Sequence, residues 1–382
     1  MAQASIPAVF MRGGTSKAIM FDGRDLPDRA EWDALFMAAM GTPDPYGRQL
    51  DGMGGGVSSL SKVCIITPSG RGDADVDYTF AQVQVRDARV DYRGNCGNMS
   101  SAVGPYAVDQ GMVHAEGDTA LVRIFNTNTG KLIHARFPLR DGKPRYGGDL
   151  AIPGVSGTAA PIRLDFVAPG GATTGKLLPT GWPLDRLEVP GMGALEVSLV
   201  DAANACVFVR ARDVGLTGRE LPDELEARAE TLARLDEIRV RASLAMGIAG
   251  SEAEARAIRI VPFVGIVSEA AASPTLTGAP IAAADIDLAA RVISNGQPHR
   301  ALPLTISLCT AVAARIEGSV VASVLSASAP REGRLRLGMP SGVLAIEADV
   351  GQGADGEWLA HSGSFYRTAR PLFSGAVHVH AG

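Results

Sequence analysis

The feature that most limits what this chain can fold into is a plan that occurs twice. In the first half a helix opens at Cys96 and closes at Gly111, just before Met112-Val113; in the second, one opens between Leu302 and Thr305 and closes at Gly318, just before Val320-Val321. From Cys96 and from Leu302 the distances to the closing glycine are 15 and 16 residues. Around both helices the chain alternates short β-branched runs with Gly, Pro, Asp or Asn, the pattern of strands joined by turns. Residues 8–11, 63–66, 79–85 and 121–125 read as strands of the first half; 197–200, 206–209 and 258–261 read as strands of the second. Helices are expected over 28–40, with Asp28 as cap and Leu35, Phe36 and Met40 on one face, and over 224–246. A chain of 382 residues exceeds one ordinary core and fits two domains of about 150–200 residues. The Gly/Pro-rich stretch Pro179-Thr180-Gly181-Trp182-Pro183 is the expected boundary, giving lobes 1–183 and 184–382. The last strand has the option of returning to the first lobe. Two such lobes, each offering a helix N-terminus to a shared cleft, would hold a small polyanion.

Composition excludes several classes. The net charge of −5, with 36 basic and 41 acidic residues spread along the chain, offers no basic stripe for a phosphate backbone, so nucleic acid is not an expected partner. No apolar run reaches the ~18–20 residues of a membrane span, and the N-terminus has no basic leader. Four cysteines, at 64, 96, 206 and 309, have no metal-ligand or disulfide spacing, and three lie in apolar runs that read as core. Their usage fits a reduced, cytoplasmic enzyme. A homodimer is the assembly admitted by a chain of this kind.

The exception among the cysteines is Cys96, within Asn95-Cys96-Gly97-Asn98. A thiol at a helix mouth meets free backbone N–H groups and the positive end of the macrodipole. Both favour a thiolate or an anionic ligand beside it. Proton transfer next to a carboxylate is the chemistry suggested.

Four stretches together resemble the PrpF family. They are Met11-Arg12-Gly13-Gly14-Thr15-Ser16-Lys17; Asp51-Gly52-Met53-Gly54-Gly55-Gly56 followed by Ser61-Lys62-Val63; Gly94-Asn95-Cys96-Gly97-Asn98-Met99-Ser100-Ser101-Ala102-Val103-Gly104-Pro105; and Arg367-Thr368-Ala369-Arg370. In order, they run from the N-terminus to Arg370. The resemblance implies an α/β (α+β) protein with the diaminopimelate-epimerase-like fold, two pseudo-symmetric lobes each wrapping a β-sheet or barrel around a central helix. It implies a cofactor-independent isomerase of unsaturated di- or tricarboxylates, such as 2-methylaconitate, aconitate or 4-oxalomesaconate. By the same resemblance Lys62 and Cys96 match the catalytic positions.

The chemistry agrees with that pair. Allylic isomerisation needs a base to take a proton from the carbon beside a C=C–COO⁻ unit and an acid to return one at the other end. A free lysine is a poor base at neutral pH, so Lys62 would need burial or neighbouring cations to become one. It precedes the apolar run Val63-Cys64-Ile65-Ile66, which points to a strand end inside the protein. Racemases of this fold use one thiol per lobe, whereas the matching place in the second half falls near Leu302, and Cys309 lies on an apolar helical face. An amino-acid epimerase or racemase is therefore the weaker alternative, beside a carboxylate-binding protein without turnover.

Substrate carboxylates need donors. Arg12, Gly13, Gly14, Thr15 and Ser16 form a tight loop after a strand, and Asn95, Gly97 and Asn98 flank the thiol; His299, Ser341 and Gly342 are candidates in the second half. Gly170-Gly171-Ala172-Thr173-Thr174-Gly175-Lys176 imitates a phosphate-binding loop but has Leu177 where a magnesium-binding Ser or Thr belongs. The glycines of 51–56 lack dinucleotide spacing. His378 and His380 have no third ligand nearby in sequence, so no metal is expected. The charge-rich face of 224–241 reads as solvated.

Overall fold

β-Branched and apolar runs become strands here wherever a turn residue can fold the chain back between them. The computed structural model describes residues 3–380. It begins with β1 (Gln3–Gly13), β2 (Ser16–Asp22), helix α1 (Trp32–Met40), β3 (Lys62–Pro68), β4 (Val76–Val83) and the short β5 (Val90–Asp91). Helix α2 (Gly97–Asp109) follows, then β6 (Thr119–Asn126), β7 (Lys131–Arg140), β8 (Lys143–Pro144) and β9 (Ile162–Val167). Next come β10 (Asp185–Val189), β11 (Gly193–Ala202), β12 (Asn204–Arg210), helices α3 (Pro222–Glu226), α4 (Ala229–Ala245) and α5 (Glu252–Ala257), β13 (Phe263–Ser268) and β14 (Leu288–Ser294). The chain ends with β15 (Gln297–Pro298), α6 (Leu304–Arg315), β16 (Arg334–Met339), β17 (Gly342–Gln352), β18 (Trp358–Arg367) and β19 (Ala369–His380).

Two compact units result. One consists of the residues up to Asp165 with those from Tyr366 onward; the other is Phe166–Phe365. In the first, β1 and β2 are antiparallel, β2 and β3 parallel, and β3 and β4 antiparallel; β4 then pairs with short β5 and, in parallel, with β6, which is antiparallel to β7. In the second the same succession runs through β11, β12, β13, β14, short β15, β16 and β17. Each short strand leads into a helix, α2 in one unit and α6 in the other. The repeat glimpsed in two helix lengths is thus a repeat of strand pairing.

Both helices are buried along nearly their whole length: Gly97–Val108 in α2 and Leu304–Ala314 in α6. A helix apolar or small on every side has no solvent face and must be surrounded. Helix α2 packs against β1, β2, β3, β6 and β7, and α6 against β11, β12, β13 and β17. Gly104 shows how closely: a Cβ there would lie 2.8 Å from Phe137 Cε1 and 3.1 Å from Ala135 Cβ. The opposite face of the first unit's sheet buries Val63, Ile65, Ala81 and Val83 against Phe36 and Met40 of α1. Because side chains alternate along a strand, Lys62 and Cys64 point to the other face of β3, the side of α2.

The boundary differs from the one expected. The stretch around residues 179–183 is stitched into the second unit, where Ser198 Oγ donates to Pro183 O at 2.5 Å and Thr180 Oγ1 to Asp185 Oδ2 at 2.9 Å. The division falls at Asp165/Phe166, and β19 pairs with β1 from Gln3↔His380 to Gly13↔Ala369. Residues 258–261 are not a strand: α5 ends at Ala257 with Ile258 as its C-cap, whose N–H bonds Glu254 O, and Pro262 offers no N–H to a ladder, so β13 starts at Phe263. The helix expected over 28–40 begins as a 3₁₀ turn at Arg29–Glu31, and the one over 224–246 is broken at Arg228, which leaves helical geometry between α3 and α4.

Candidate active site

Lys62 opens β3 directly opposite Gln82 of β4. Its side chain is buried, its Nζ donates to Gln82 Oε1 at 2.5 Å, and the ammonium stands 5.0 Å over the Phe80 ring. The acceptor is an amide, which carries no charge. Burial therefore lowers the Lys62 pKa, opposed in part by the negative charge the nearby Cys96 and Cys64 thiols would carry. That coupling brings together the two residues the sequence singled out. Cys64 itself is a core thiol, pushed well up by burial, 3.7 Å from Tyr78 OH.

Cys96 is the N-cap of α2 and is half-buried, and its side chain makes no cap hydrogen bond. The Ser100 N–H and Oγ both bond Cys96 O, at 3.0 and 3.2 Å, so the cap's carbonyl is occupied while its thiol is left for other work. Asn95 and Asn98 beside it are buried. Asn98 Nδ2 donates to Thr15 Oγ1 at 3.0 Å, which joins the helix mouth to the β1–β2 turn. The turn needs its glycines for that approach. A Cβ on Gly13 would lie 2.7 Å from Asn98 O, and Gly14 has φ +50° with Asn98 Oδ1 only 2.2 Å from any Cβ. Ser16, buried, pairs with Gly13 across the turn. The β1–β2 turn, Gly13, Gly14, Thr15 and Ser16, thus meets Asn98 at the helix mouth, where Asn95, Gly97 and Asn98 flank the capping Cys96.

Arg12 is placed differently from a free carboxylate clamp. Its Nη1 donates to Gly14 O at 2.9 Å and Thr368 O at 2.8 Å, and burial followed by the charge of Arg370 lowers its pKa. The side chain fixes the turn to the strand that returns at the C-terminus. A second arginine, quoted in sequence within the fourth matching stretch but given no role there, reaches the helix mouth. Arg367 is buried, donates from Nε to Asn98 Oδ1 at 3.3 Å and from Nη1 to Tyr366 O at 3.1 Å, and burial brings its pKa down to about 9. Gln82 was also missed. The signal for it was a glutamine among Tyr78 and Phe80 on the inward-facing register of an apolar strand.

His299, Ser341 and Gly342 belong to the second unit. His299 Nε2 lies 2.8 Å from Ser294 Oγ, with its ring 6.2 Å from that of Phe263. Ser341 Oγ is buried without a hydrogen-bond partner among the described residues, and Gly342 has φ +132°. The counterpart of Cys96 there is Pro303, the N-cap of α6, one residue beyond the expected Leu302 because the helix starts at Leu304. On the helix-facing side of the second sheet the counterparts of Lys62 and Gln82 are Phe263 and Ser294, one step along from the Val264↔Ile293 pair, whose side chains pack against α4 on the other face. Pro303, Phe263 and Ser294 offer neither a thiol nor an amine, so at these matching positions the pair belongs to the first unit. Cys309 is buried, with its Sγ on Val200 O at 3.5 Å.

The phosphate-loop imitation has its own anion. Thr173 N and Thr174 N donate to Asp201 Oδ2 at 2.7 and 2.6 Å. Among the described residues no group of three or more His, Cys, Asp and Glu is placed to hold a metal; His378 is exposed, and the His380 side chain lies outside the described residues. No helix among them is long and apolar enough to cross a membrane.

Known proteins with the same layout are recognisable over the full length. The chain is 42% identical to the 3-methylitaconate isomerase of Eubacterium barkeri over 99% of this chain and 98% of that one. It is 39% identical to the 2-methyl-aconitate isomerase of Cupriavidus necator over 99% and 98%, and 38% identical to the 4-oxalomesaconate tautomerase of Pseudomonas putida over 99% and 97%. The crystal structure of a methylitaconate-delta-isomerase superposes with a TM-score of 0.82, covering 99% of this chain and 96% of that one at 42% identity. A hydroxyproline epimerase from Agrobacterium vitis shares the fold at a TM-score of 0.55 and 12% identity, over 98% and 92% of the two chains. With the PrpF protein family profile matched from residue 3 to residue 380, the chain belongs to the PrpF family.

Proposed function

We propose that this isomerase moves a proton between the two ends of an allylic unit in an unsaturated di- or tricarboxylate, with Lys62 as base and Cys96 as acid. One observation carries the reading: a buried lysine on an uncharged acceptor, in electrostatic reach of the thiol that caps a helix. In its neutral form Lys62 takes the proton from the carbon next to the C=C–COO⁻ unit. The electron pair spreads through the double bond into the carboxylate as a dienolate. Cys96 returns a proton at the far carbon, the double bond shifts, and the proton held by Lys62 then passes to the thiolate to restore both groups. If the proton returns instead to the carbon it left, after rotation in the dienolate, the product is the cis–trans isomer.

Gly13, Gly14, Thr15, Ser16, Asn95, Gly97 and Asn98 supply amide and hydroxyl donors for one substrate carboxylate, and Arg12 holds that turn in place while adding positive charge. The relatives isomerise, by their names, methylitaconate, methylaconitate and oxalomesaconate, all of which carry the required unit. His299, Ser341 and Gly342 are proposed as further substrate contacts. The reading needs no cofactor.

Proton NMR in D₂O with methylitaconate, 2-methylaconitate, cis- and trans-aconitate and 4-oxalomesaconate tests it. Deuterium entering an allylic carbon as the double bond shifts or inverts is the expected result. Folded protein that exchanges none of them would leave a binding role without turnover.

A further inference from the structure

We propose that Gln82 is the positioning residue of the reaction: its amide oxygen holds the Lys62 amine in place and sets how tightly the base keeps its proton. The inference rests on Lys62 being the base.

The amide has only one way to face. Gln82 Nε2 lies 2.9 Å from Ser61 O, 3.1 Å from Ser58 O and 3.4 Å from Val83 O. Turning the amide over would set its oxygen against three carbonyl oxygens, so the N–H side is fixed there and Oε1 is fixed towards Lys62. Ser61 is held in turn. Gln49 is fully buried, donates to Ser61 Oγ at 2.8 Å and to Thr42 Oγ1 at 2.9 Å, and accepts from Gly56 N at 3.0 Å. A chain of neutral hydrogen bonds therefore runs from the glycine-rich loop to the lysine nitrogen.

The consequence is chemical. A neutral amine has two N–H groups and one lone pair; with one N–H spent on Gln82 Oε1, the lone pair is steered away from the amide. An amide oxygen also accepts from the ammonium more strongly than from the amine, though less strongly than a carboxylate would. Gln82 is thus an intermediate acceptor: the base is neutral often enough to take a proton, yet still basic enough to hold it.

Two substitutions should displace the acid limb of the kcat–pH profile in opposite directions. Gln82→Glu offers a carboxylate, so the limb should rise by about one pH unit or more, costing roughly tenfold at a pH on its slope, with activity recovered on raising the pH. Gln82→Met offers no acceptor, so the limb should fall, with kcat down about tenfold from lost positioning and KM nearly unchanged. Lysine is scarce in this chain, at positions 17, 62, 131, 143 and 176 only, so selective ¹³Cε labelling follows the Lys62 titration directly in each variant. Gln82→Asn, which withdraws the amide by one methylene, stands in for Gln82→Met if that variant fails to fold, and Gln82→Asp, which keeps the carboxylate, stands in for Gln82→Glu. Limbs that stay put, or move the same way, overturn the role of Gln82. Lys62→Ala separates the two levels: if it is inactive while the limbs are unmoved, Gln82 alone is wrong, whereas turnover by Lys62→Ala removes the base itself.

Discussion

Arg367 Nε lies 3.3 Å from Asn98 Oδ1, so a buried guanidinium near the C-terminal end of the chain reaches the second residue of the helix that Cys96 caps. Asn98 uses its other side-chain atom on Thr15, and the three residues lock strand, helix and turn together. The second unit ties its hairpin to its helix the same way, with Asn204 Nδ2 donating to Thr305 Oγ1 at 2.8 Å. There the tie is structural: the N-cap of that helix is Pro303, which has neither a thiol nor an amine.

Arg367→Lys should therefore be far from conservative. A lysine has no planar fork and cannot hold Asn98 and a main-chain carbonyl in one geometry. A loss of about 10²-fold in kcat/KM is expected, equivalent to roughly 2.7 kcal/mol, in a protein whose circular dichroism is unchanged. Wild-type kinetics in that variant would assign Arg367 to packing.

Lys62→Met should abolish turnover and raise thermal stability. Burial lowers the Lys62 pKa in the folded protein, so below the folded value both states carry the proton and the full cost of burying the charge is present. Between the folded value and the ordinary 10.5, the unfolded chain binds more protons than the folded one. Stability contributed through Lys62 thus rises with pH across that window. Melting curves at pH 7 and pH 10 should show the wild type gaining relative to Lys62→Met as pH rises. A parallel pair of curves, or full activity in the variant, would contradict the assignment.

Where the sequence was legible, the cause was periodicity and turn chemistry. The strands around Val63-Ile66 and the glycine-closed helices are local patterns, and the helix mouth at Cys96 is written in four adjacent residues. What it hid depends on long-range pairing. Gln82 meets Lys62 only because β3 and β4 are antiparallel in one register. Arg367 meets Asn98 across 269 positions of sequence. The strand expected at 258–261 failed because an apolar run does not reveal that Pro262 stops it from joining a ladder.

Alkylation should distinguish Cys96 from its three companions. Cys64, Cys206 and Cys309 are buried and their thiol pKa values are raised by that burial, whereas Cys96 is half-exposed at a helix N-terminus. Limiting iodoacetamide at pH 8 should modify the native protein once, at Cys96, by peptide mass spectrometry, and a saturating tricarboxylate should slow it. Cys96→Ser, if the thiol is the acid, should lower kcat by roughly 10²-fold. Equal labelling of all four would mean that the core opens on the timescale of the reaction.

Arg12 is the residue whose reading the structure changes most. As a simple carboxylate clamp it would affect KM alone, but two of its hydrogen bonds go to Gly14 O and Thr368 O. Both hold the turn that Gly13 and Gly14 press against the mouth of α2. Removing the guanidinium leaves Gly14 O without that donor, at a cost of about 1–3 kcal/mol, while Thr368 O keeps only the Gly14 N–H, and it loosens the turn whose amides are proposed to face the substrate. Arg12→Ala should therefore raise KM and lower the melting temperature together. Gly13→Ala, which forces a Cβ to within 2.7 Å of Asn98 O, should produce the same two losses without touching any charge. If Arg12→Ala raises KM while leaving the melting temperature untouched, the arginine acts on the substrate alone. If it lowers the melting temperature while KM holds, the turn does not bind the carboxylate, and the donors around Cys96 must be sought on the helix.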